Sequence, residues 1–456
     1  MIDLNYGDFI ASRRFPDIRS GFDADDKALT ESLKPHQKYL VKWALRKGRA
    51  AIFADTGLGK TRTMSEWGRL VSLYTDGGRV LFLSPLAVAP QTVIEAARVG
   101  VDLRYARHDT GDTFIITNYE MVSKFDMSKF VAVVLDESSI LKNFDGSTRR
   151  EITEAAAMVP YRLSCTATPS PNDYMELGTQ SEFLGVMPRS EMLAMFFTHD
   201  STETSKWVLK GHGRAKFWEW MATWAAVIRS PADLGLDGTE YQLPKLHIHY
   251  HEIDMPGPVA MTLTERRGAK RESMEPRMQL AAKIANETSE PVLVWCHLND
   301  ESARLAELIP DAVEVTGSDK MDAKESALMA FSNGDTRVLV SKSSICGFGM
   351  NWQHCNTVVF AGLSDSFEQF YQAVRRCYRF GQTREVHVHC VLGTTERAVV
   401  DNLKRKERQH DELSAELSTY MADHVYSNVV STYREYTDHV SPVKIEVPQF
   451  LMENAA

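Results

Sequence analysis

A chain of 456 residues with 43% hydrophobic and 25% charged residues can bury large cores in two or three domains. A net charge of −9 argues against a generally basic nucleic-acid coat protein, yet leaves room for a local positive track inside a cleft. No apolar run reaches membrane-span length, and the opening MIDLNYGDFIASRRF lacks the basic start and apolar core of a leader. The six cysteines (Cys165, Cys296, Cys346, Cys355, Cys377, Cys390) form no C-x-x-C pair and read as reduced thiols, so a cytoplasmic protein is expected.

In chain order, AAIF (around 51–53), VLFLSP (80–85), FIITN (114–118), VAVVLDE (131–137) and YRLSCTA (161–167) read as buried strands. Near-continuous apolar runs separated by helical patterns predict a parallel sheet covered on both faces. Residues 178–255 break this rhythm. There SKWVLKGHGRAKFWEWMATWAAVIRSP predicts a helical insertion whose tryptophans pack against the first lobe, with Lys206, Lys210, Arg214 and Lys216 as candidate nucleic-acid contacts. A second strand series follows: PVLVWCH (291–297), AVEVTG (312–317), RVLVSK (337–342), NTVVFAG (356–362) and EVHVHCVLG (385–393). The repeated rhythm without repeated sequence predicts two α/β lobes of similar construction. TTERAVVDNLKRKERQHDELSAEL then reads as an amphipathic, charge-rich helix.

The chemistry begins at FADTGLGKTRT, between the first strand and a helix. Ala54 through Thr61 fit the pattern [AG]-x-x-x-x-G-K-[ST]. Gly57 and Gly59 allow the sharp turn that aims backbone N–H groups at phosphate oxygens, beside the positive end of the next helix. Lys60 would reach the β- and γ-phosphates, and Thr61 would hold Mg²⁺. Asp136 and Glu137 end an apolar strand, where ligands gather in parallel sheets; Asp136 suits a metal-linked acid and Glu137 the group that polarises the attacking water. Together the two motifs point to hydrolysis of a nucleoside triphosphate.

With these placed, the remaining motifs resemble superfamily-two helicases, and among them the Swi/Snf-type DNA translocases. LKPHQKYLVKWAL resembles the adenine-reading segment, with Gln37 in the glutamine position; LSPLAVAPQ and ITNYEMV resemble the backbone-touching motifs of the first lobe. LDESSILKN stands where the family often has Asp-Glu-Gly/Ala-His, with Ser138 and Ser139 as departures, and SCTATPSPN resembles the coupling motif. WAAVIRSPADLG and the following LPK resemble the segment that leads toward the second lobe. SSICGFGMNWQHCNTVVF resembles motif V, and QAVRRCYRFGQ resembles motif VI, Q-A-x-G-R-x-x-R-x-G-Q; Arg375 replaces its glycine and reads most simply as a surface residue. The resemblance spans roughly residues 30–185 and 285–410, and the Ser-Ser variant and compact layout are most similar to short bacteriophage and prophage enzymes.

The resemblance implies two tandem RecA-like parallel-sheet lobes with a helical insertion between them and a C-terminal helix. The boundaries it implies are an N-terminal extension (1–30), lobe one (31–185), an insertion and linker (186–255), lobe two (256–410) and a C-terminal helix and tail (411–456). It implies ATP and Mg²⁺ as ligands, with Gln37, Thr56, Gly57, Leu58, Gly59, Lys60, Thr61 and Gly349 against the nucleotide and Thr61 and Asp136 on the metal. Lys60, Asp136, Glu137, Gln372, Arg376 and Arg379 would form the catalytic set, with Arg379 as arginine finger and Arg376 as a second phosphate contact. Thr166 and Thr168 would couple the ATP site to DNA, gripped by Ser84, Pro85, Thr117 and Asn118 of lobe one and Ser343, Ser344, Gly349 and Asn351 of lobe two. The implied activity is DNA-stimulated ATP hydrolysis driving movement on duplex or branched DNA in a bacterial or phage-infected cytosol, remodelling the DNA or displacing bound protein. A strand-separating helicase and an ATP-switched binding protein are the alternatives.

Overall fold

The computed structural model describes residues 20–86, 88–142, 146–170, 173–199, 207–346 and 350–430. Lobe one carries β1 (Arg49–Ala54), β2 (Val80–Ser84), β3 (Arg104–Tyr105), β4 (Phe114–Asn118), β5 (Ala132–Asp136) and β6 (Tyr161–Thr166). A short antiparallel pair follows, β7 (Phe197–His199) with β8 (Trp207–Leu209), and then β9 (Ala225–Ile228). The seven-stranded sheet runs β3-β4-β2-β5-β6-β1-β9, parallel throughout. Every residue of β2 and β5 is buried, as a strand covered on both faces requires.

Lobe two carries β10 (Leu246–Ile253), β11 (Val292–Cys296), β12 (Ala312–Val315), β13 (Val338–Lys342), β14 (Thr357–Phe360) and β15 (Val386–Gly393). Its six-stranded sheet is also parallel, in the order β10-β15-β14-β11-β13-β12. The molecule is thus a tandem of two RecA-like α/β lobes, each with its own hydrophobic core.

The region between the two strand series is less helical than its sequence suggests. Its tryptophans pack as expected: Trp218, Trp220 and Trp224 are at most 2% exposed within the core of lobe one. Yet Ala225–Ile228, two residues past the helix Arg214–Ala222, form β9, which pairs with β1 and completes the first sheet, and β10 opens the second. A four-residue apolar run beside a tryptophan-rich helix has too little period to declare itself a strand. The candidate cations of this stretch are engaged within the protein. Lys210 Nζ donates to the carbonyls of Ala194 and Met195, Arg214 pairs with Glu416 and Lys216 with Glu219; Lys206 lies outside the described residues.

The C-terminal helix (Arg397–Val430) leaves lobe two and runs onto lobe one, where Asp411 meets Arg229 and Glu416 meets Arg214. Among the described residues, no helix is long and apolar enough to cross a membrane.

One face of the β10–β15 pair carries five histidines in register: His247, His249 and His251 beside His387 and His389. His249 Nε2 lies 3.1 Å from His387 Nδ1, and His251 Nε2 lies 2.9 Å from His389 Nδ1. Burial, then the neighbouring His249, His251 and His387, press His389 down to about 4, and burial with His387, His251 and His247 lowers His249. A histidine held neutral in the folded state loses nothing above its unfolded value near 6.5. It destabilises the fold progressively as pH falls from there toward about 4. Thermal melting at pH 7.5 and pH 5 should therefore show a smaller acid-induced drop in Tm for His389→Gln than for the wild type.

Candidate nucleotide cleft and nucleic-acid face

β1 delivers the chain into the loop Asp55–Gly59, and helix α1 (Lys60–Tyr74) starts at once behind it. Gly57 and Gly59 adopt φ of +90° and +78°. A Cβ on Gly59 would stand 2.1 Å from Gln37 Nε2, and one on Gly57 would stand 2.8 Å from Phe380 Cβ of lobe two. The glycines therefore serve the turn and also the close approach of the second lobe. The loop is fixed from the helix Pro35–Lys47: Gln37 Nε2 donates to the Leu58 carbonyl at 3.1 Å, and that carbonyl lies 3.0 Å from His36 Nε2. Lys60 Nζ donates to the Ala54 carbonyl at 2.9 Å.

At the end of β5, Asp136 is 4% exposed and accepts from Thr92 Oγ1 at 3.3 Å. Burial and the adjacent Glu137 push its carboxyl up to about 7, against the pull of Lys60. Glu137 sits at φ +54°, a backbone conformation that costs a non-glycine residue on the order of 1–3 kcal/mol. Its Oε2 accepts from Thr166 Oγ1 at 3.2 Å, and Thr166 Oγ1 in turn accepts from the Thr168 N–H at 3.1 Å. Thr166 thus reaches Glu137, just past β5, directly, and Thr168 is joined to it through Thr166.

Lobe two closes the cleft with the segment after helix α2 (Phe367–Val374). Arg376 Nη1 and Arg379 Nη1 both donate to the Met350 carbonyl, at 3.2 and 3.4 Å. Burial lowers Arg376 to about 10; burial and then Arg376 lower Arg379 to about 10. Both guanidiniums therefore stay charged near neutrality. Gln372 is 2% exposed, and neither side-chain amide atom has a hydrogen-bond partner among the described residues.

These groups share one cleft of about 320 Å³. Gln37, Thr56, Gly57, Gly59, Lys60, Thr61, Asp136 and Glu137 line it from lobe one; Arg376 and Arg379 line it from lobe two. Leu58 and Gln372 are buried beside it, and Gly349 lies outside the described residues. A lysine, a threonine hydroxyl, two carboxylates and two guanidiniums form a donor set that fits a triphosphate and a divalent cation.

Several cleft residues escape sequence reading. Tyr241 and Phe380 stack at 4.6 Å between ring centres, one from each side of the cleft. Asn351, which motif position suggests for DNA, also lines this cleft. Arg375 is no surface residue: its Nη2 donates to Asp55 Oδ2 at 2.8 Å, and Tyr371 Oη donates to Asp55 Oδ1 at 2.6 Å. Burial works to raise Asp55, but Arg375 and Tyr371 hold its carboxyl below the usual range. Breaking one side of such a pair costs on the order of 3–5 kcal/mol. The only signal in the sequence is that a charge replaces the glycine of motif VI.

Of the remaining grip candidates, the Ser84 and Thr117 hydroxyls are buried at the ends of β2 and β4 without a partner among the described residues. Pro85 is half-buried, and Asn118 Nδ2 donates to Glu120 Oε2 at 2.7 Å. In lobe two Ser343 is half-buried and Ser344 exposed. Ser343 opens on a small cavity with His297, Ser364 and Gln369, and these three also line a groove of about 610 Å³. Arg266, Arg267, Lys270 and Arg271, all from the helix Leu263–Glu272, give that groove its positive wall.

Comparison with known proteins agrees with the second lobe. Residues 276–381 match the family model for the helicase conserved C-terminal domain. The chain is 33% identical over 111 residues to the ATP-dependent helicase BRM of Arabidopsis thaliana, covering 24% of this chain and 5% of that protein. It is 31% identical over 104 residues to Helicase domino of Drosophila melanogaster, covering 22% and 3%. With Helicase swr1 of Aspergillus fumigatus it shares 30% over 98 residues, covering 21% and 6%. The chain thus spans only a small part of the length of these relatives. Among solved structures it is similar to the Sulfolobus solfataricus SWI2/SNF2 ATPase core in complex with dsDNA, at 17% identity and a TM-score of 0.43, covering 89% of this chain and 96% of that one. The matched segment of lobe two is thus similar to the corresponding segment of helicases.

Gly59→Ala puts a Cβ into a left-handed backbone position and against Gln37. Titration with a fluorescent ATP analogue is expected to show at least a tenfold loss of affinity.

Proposed function

We propose that the chain hydrolyses ATP between its lobes and uses the cycle to move along duplex or branched DNA with little sequence preference. One observation carries this reading: the phosphate loop, Asp136 and Glu137 of lobe one face Arg376 and Arg379 of lobe two across a single cleft. The loop N–H groups and Lys60 hold the β- and γ-phosphates. Glu137 orients a water and takes its proton as the oxygen bonds to the γ-phosphorus and the β–γ bridging oxygen departs with ADP. Arg379 and Arg376 stabilise the charge that develops in the transition state, an effect on the order of a thousand- to a hundred-thousand-fold in rate for an arginine finger. Thr61 and Asp136 are the residues that would hold Mg²⁺, which would supply positive charge to offset that of the phosphates.

Loss of the γ-phosphate removes the group that both lobes grip, so the lobes separate and close again with each turnover. DNA as the track is supported by the helicase C-terminal match and by the positive groove of lobe two, which adjoins Ser343. In this reading Arg267 and Arg271 meet backbone phosphates there, while Ser84, Pro85, Thr117 and Asn118 mark the facing track on lobe one. Asn351, given its place, serves the nucleotide. Contacts of this kind position the backbone and carry little sequence information.

ATPase assays across duplex, forked, four-way-junction and single-stranded DNAs and RNA test the reading. Duplex or branched DNA should stimulate most, with stimulation falling steeply as salt rises; stimulation by RNA alone would overturn it. Glu137→Gln should lower hydrolysis at least a hundredfold while a fluorescent ATP analogue still binds. Arg267→Glu with Arg271→Glu should raise the DNA concentration for half-maximal stimulation severalfold and flatten its salt dependence.

A further inference from the structure

We propose that Arg375 is a positioning residue that ties the phosphate loop to the arginine segment of lobe two through Asp55, so that both halves of the nucleotide cleft close as one unit. The kinetic part of this inference rests on the ATP-hydrolysis reading; its geometric part does not.

The contact is saturated. Asp55 Oδ1 accepts from the Thr56 N–H at 2.6 Å and from Tyr371 Oη at 2.6 Å, while Oδ2 accepts from Arg375 Nη2 at 2.8 Å. One acceptor group therefore binds its own loop and two residues of the opposite lobe. The Asp55 and Arg375 side chains are 15% and 17% exposed, so bulk water screens the pair weakly. The guanidinium is clamped by two rings, with its centre 5.1 Å from the Tyr371 ring and 5.2 Å from the Tyr378 ring. Tyr378 Oη donates to the Pro244 carbonyl at 2.9 Å, which fixes that ring to the segment entering β10. Arg375 cannot swing freely between the lobes.

The consequence lies one residue on. Arg375 caps α2, and Arg376 and Arg379 follow within the next turn of chain. Holding Arg375 on the phosphate loop fixes the backbone from which these two reach the same cleft. A glycine at 375 has no side chain with which to do this.

Two measurements on the full chain test this. Donor and acceptor dyes on azide-bearing residues at the exposed positions Met158 of lobe one and Met329 of lobe two report lobe separation. Without nucleotide, Arg375→Gly and Asp55→Asn should each lower transfer efficiency, and Arg375→Lys should restore most of it. In steady-state ATPase assays both variants should lower kcat at least tenfold while KM changes less than threefold. The double variant Asp55→Asn/Arg375→Gln should be no worse than the worse of its two single variants, because one contact is lost either way. Losses that multiply in the double variant would make Arg375 an independent phosphate ligand and overturn the proposal. So would unchanged lobe separation in both single variants. Melting curves and the Arg375→Lys rescue separate a loss of positioning from a loss of fold. Absence of ATP hydrolysis in the wild type would sink the functional reading, while the dye measurement would still judge the latch.

Discussion

A catalytic cleft divided between two sheets poses one physical constraint: opposite charges needed at one point must be carried by bodies that can part. Asp55, Tyr371 and Arg375 answer it at the junction itself, with a carboxylate from the phosphate loop bound by two side chains of the other lobe. Around that point the interface adds contacts of the same kind. Lys142 pairs with Glu368, Tyr241 stacks on Phe380, and the C-terminal helix returns to lobe one through Asp411 and Glu416. Exposed pairs of the last sort contribute little energy singly. Their arrangement still restricts how the lobes can approach, and the buried pair decides where they meet.

Strain sits on the lobe-one side of this junction. Glu137 holds a positive φ that its neighbours over-determine. Thr166 binds its carboxylate, Tyr119 donates to the Asp136 carbonyl, and Gln180 Nε2 donates to the Ser138 carbonyl at 2.8 Å. Ser138 and Ser139, which stand where the resembling family often has Gly/Ala and His, are buried against that turn. The acid that would polarise water is thereby aimed by β5, β6 and the turn between them rather than by solvent-exposed contacts. Its neighbour Asp136 is pushed up to about 7 by burial and by Glu137, against the pull of Lys60.

The parallel strands were legible because each is a short apolar run with turn residues at its ends, and nearly all boundaries agree within one or two residues. β3, β9 and β10 were not: β3 is two exposed residues, AAVI is shorter than any reliable period, and β10 falls in the stretch assigned to the insertion and linker. The phosphate loop and its acids were legible because backbone geometry and charge dictate their residue types. Arg375, Asn351, Tyr241 and Phe380 belong to contacts across the cleft, and such pairing leaves no local pattern in either partner. Motif position marks Ser84 and Thr117 as grips, and their hydroxyls are buried without a partner among the described residues.

Helix α2 gives the arrangement a mechanical reading. Its eight residues span about 12 Å as a rigid rod. At its N-terminus Ser366 caps the helix by accepting from the Gln369 N–H, and both residues line the positive groove of lobe two. In its first turn Glu368 reaches Lys142 of lobe one, and at its end Tyr371 and Arg375 hold the phosphate loop. Phe367, Ala373 and Val374 seat this helix in the core of lobe two. One short helix thus borders the groove lined by Arg267 and Arg271 at its cap and holds the loop Asp55–Gly59 at its other end.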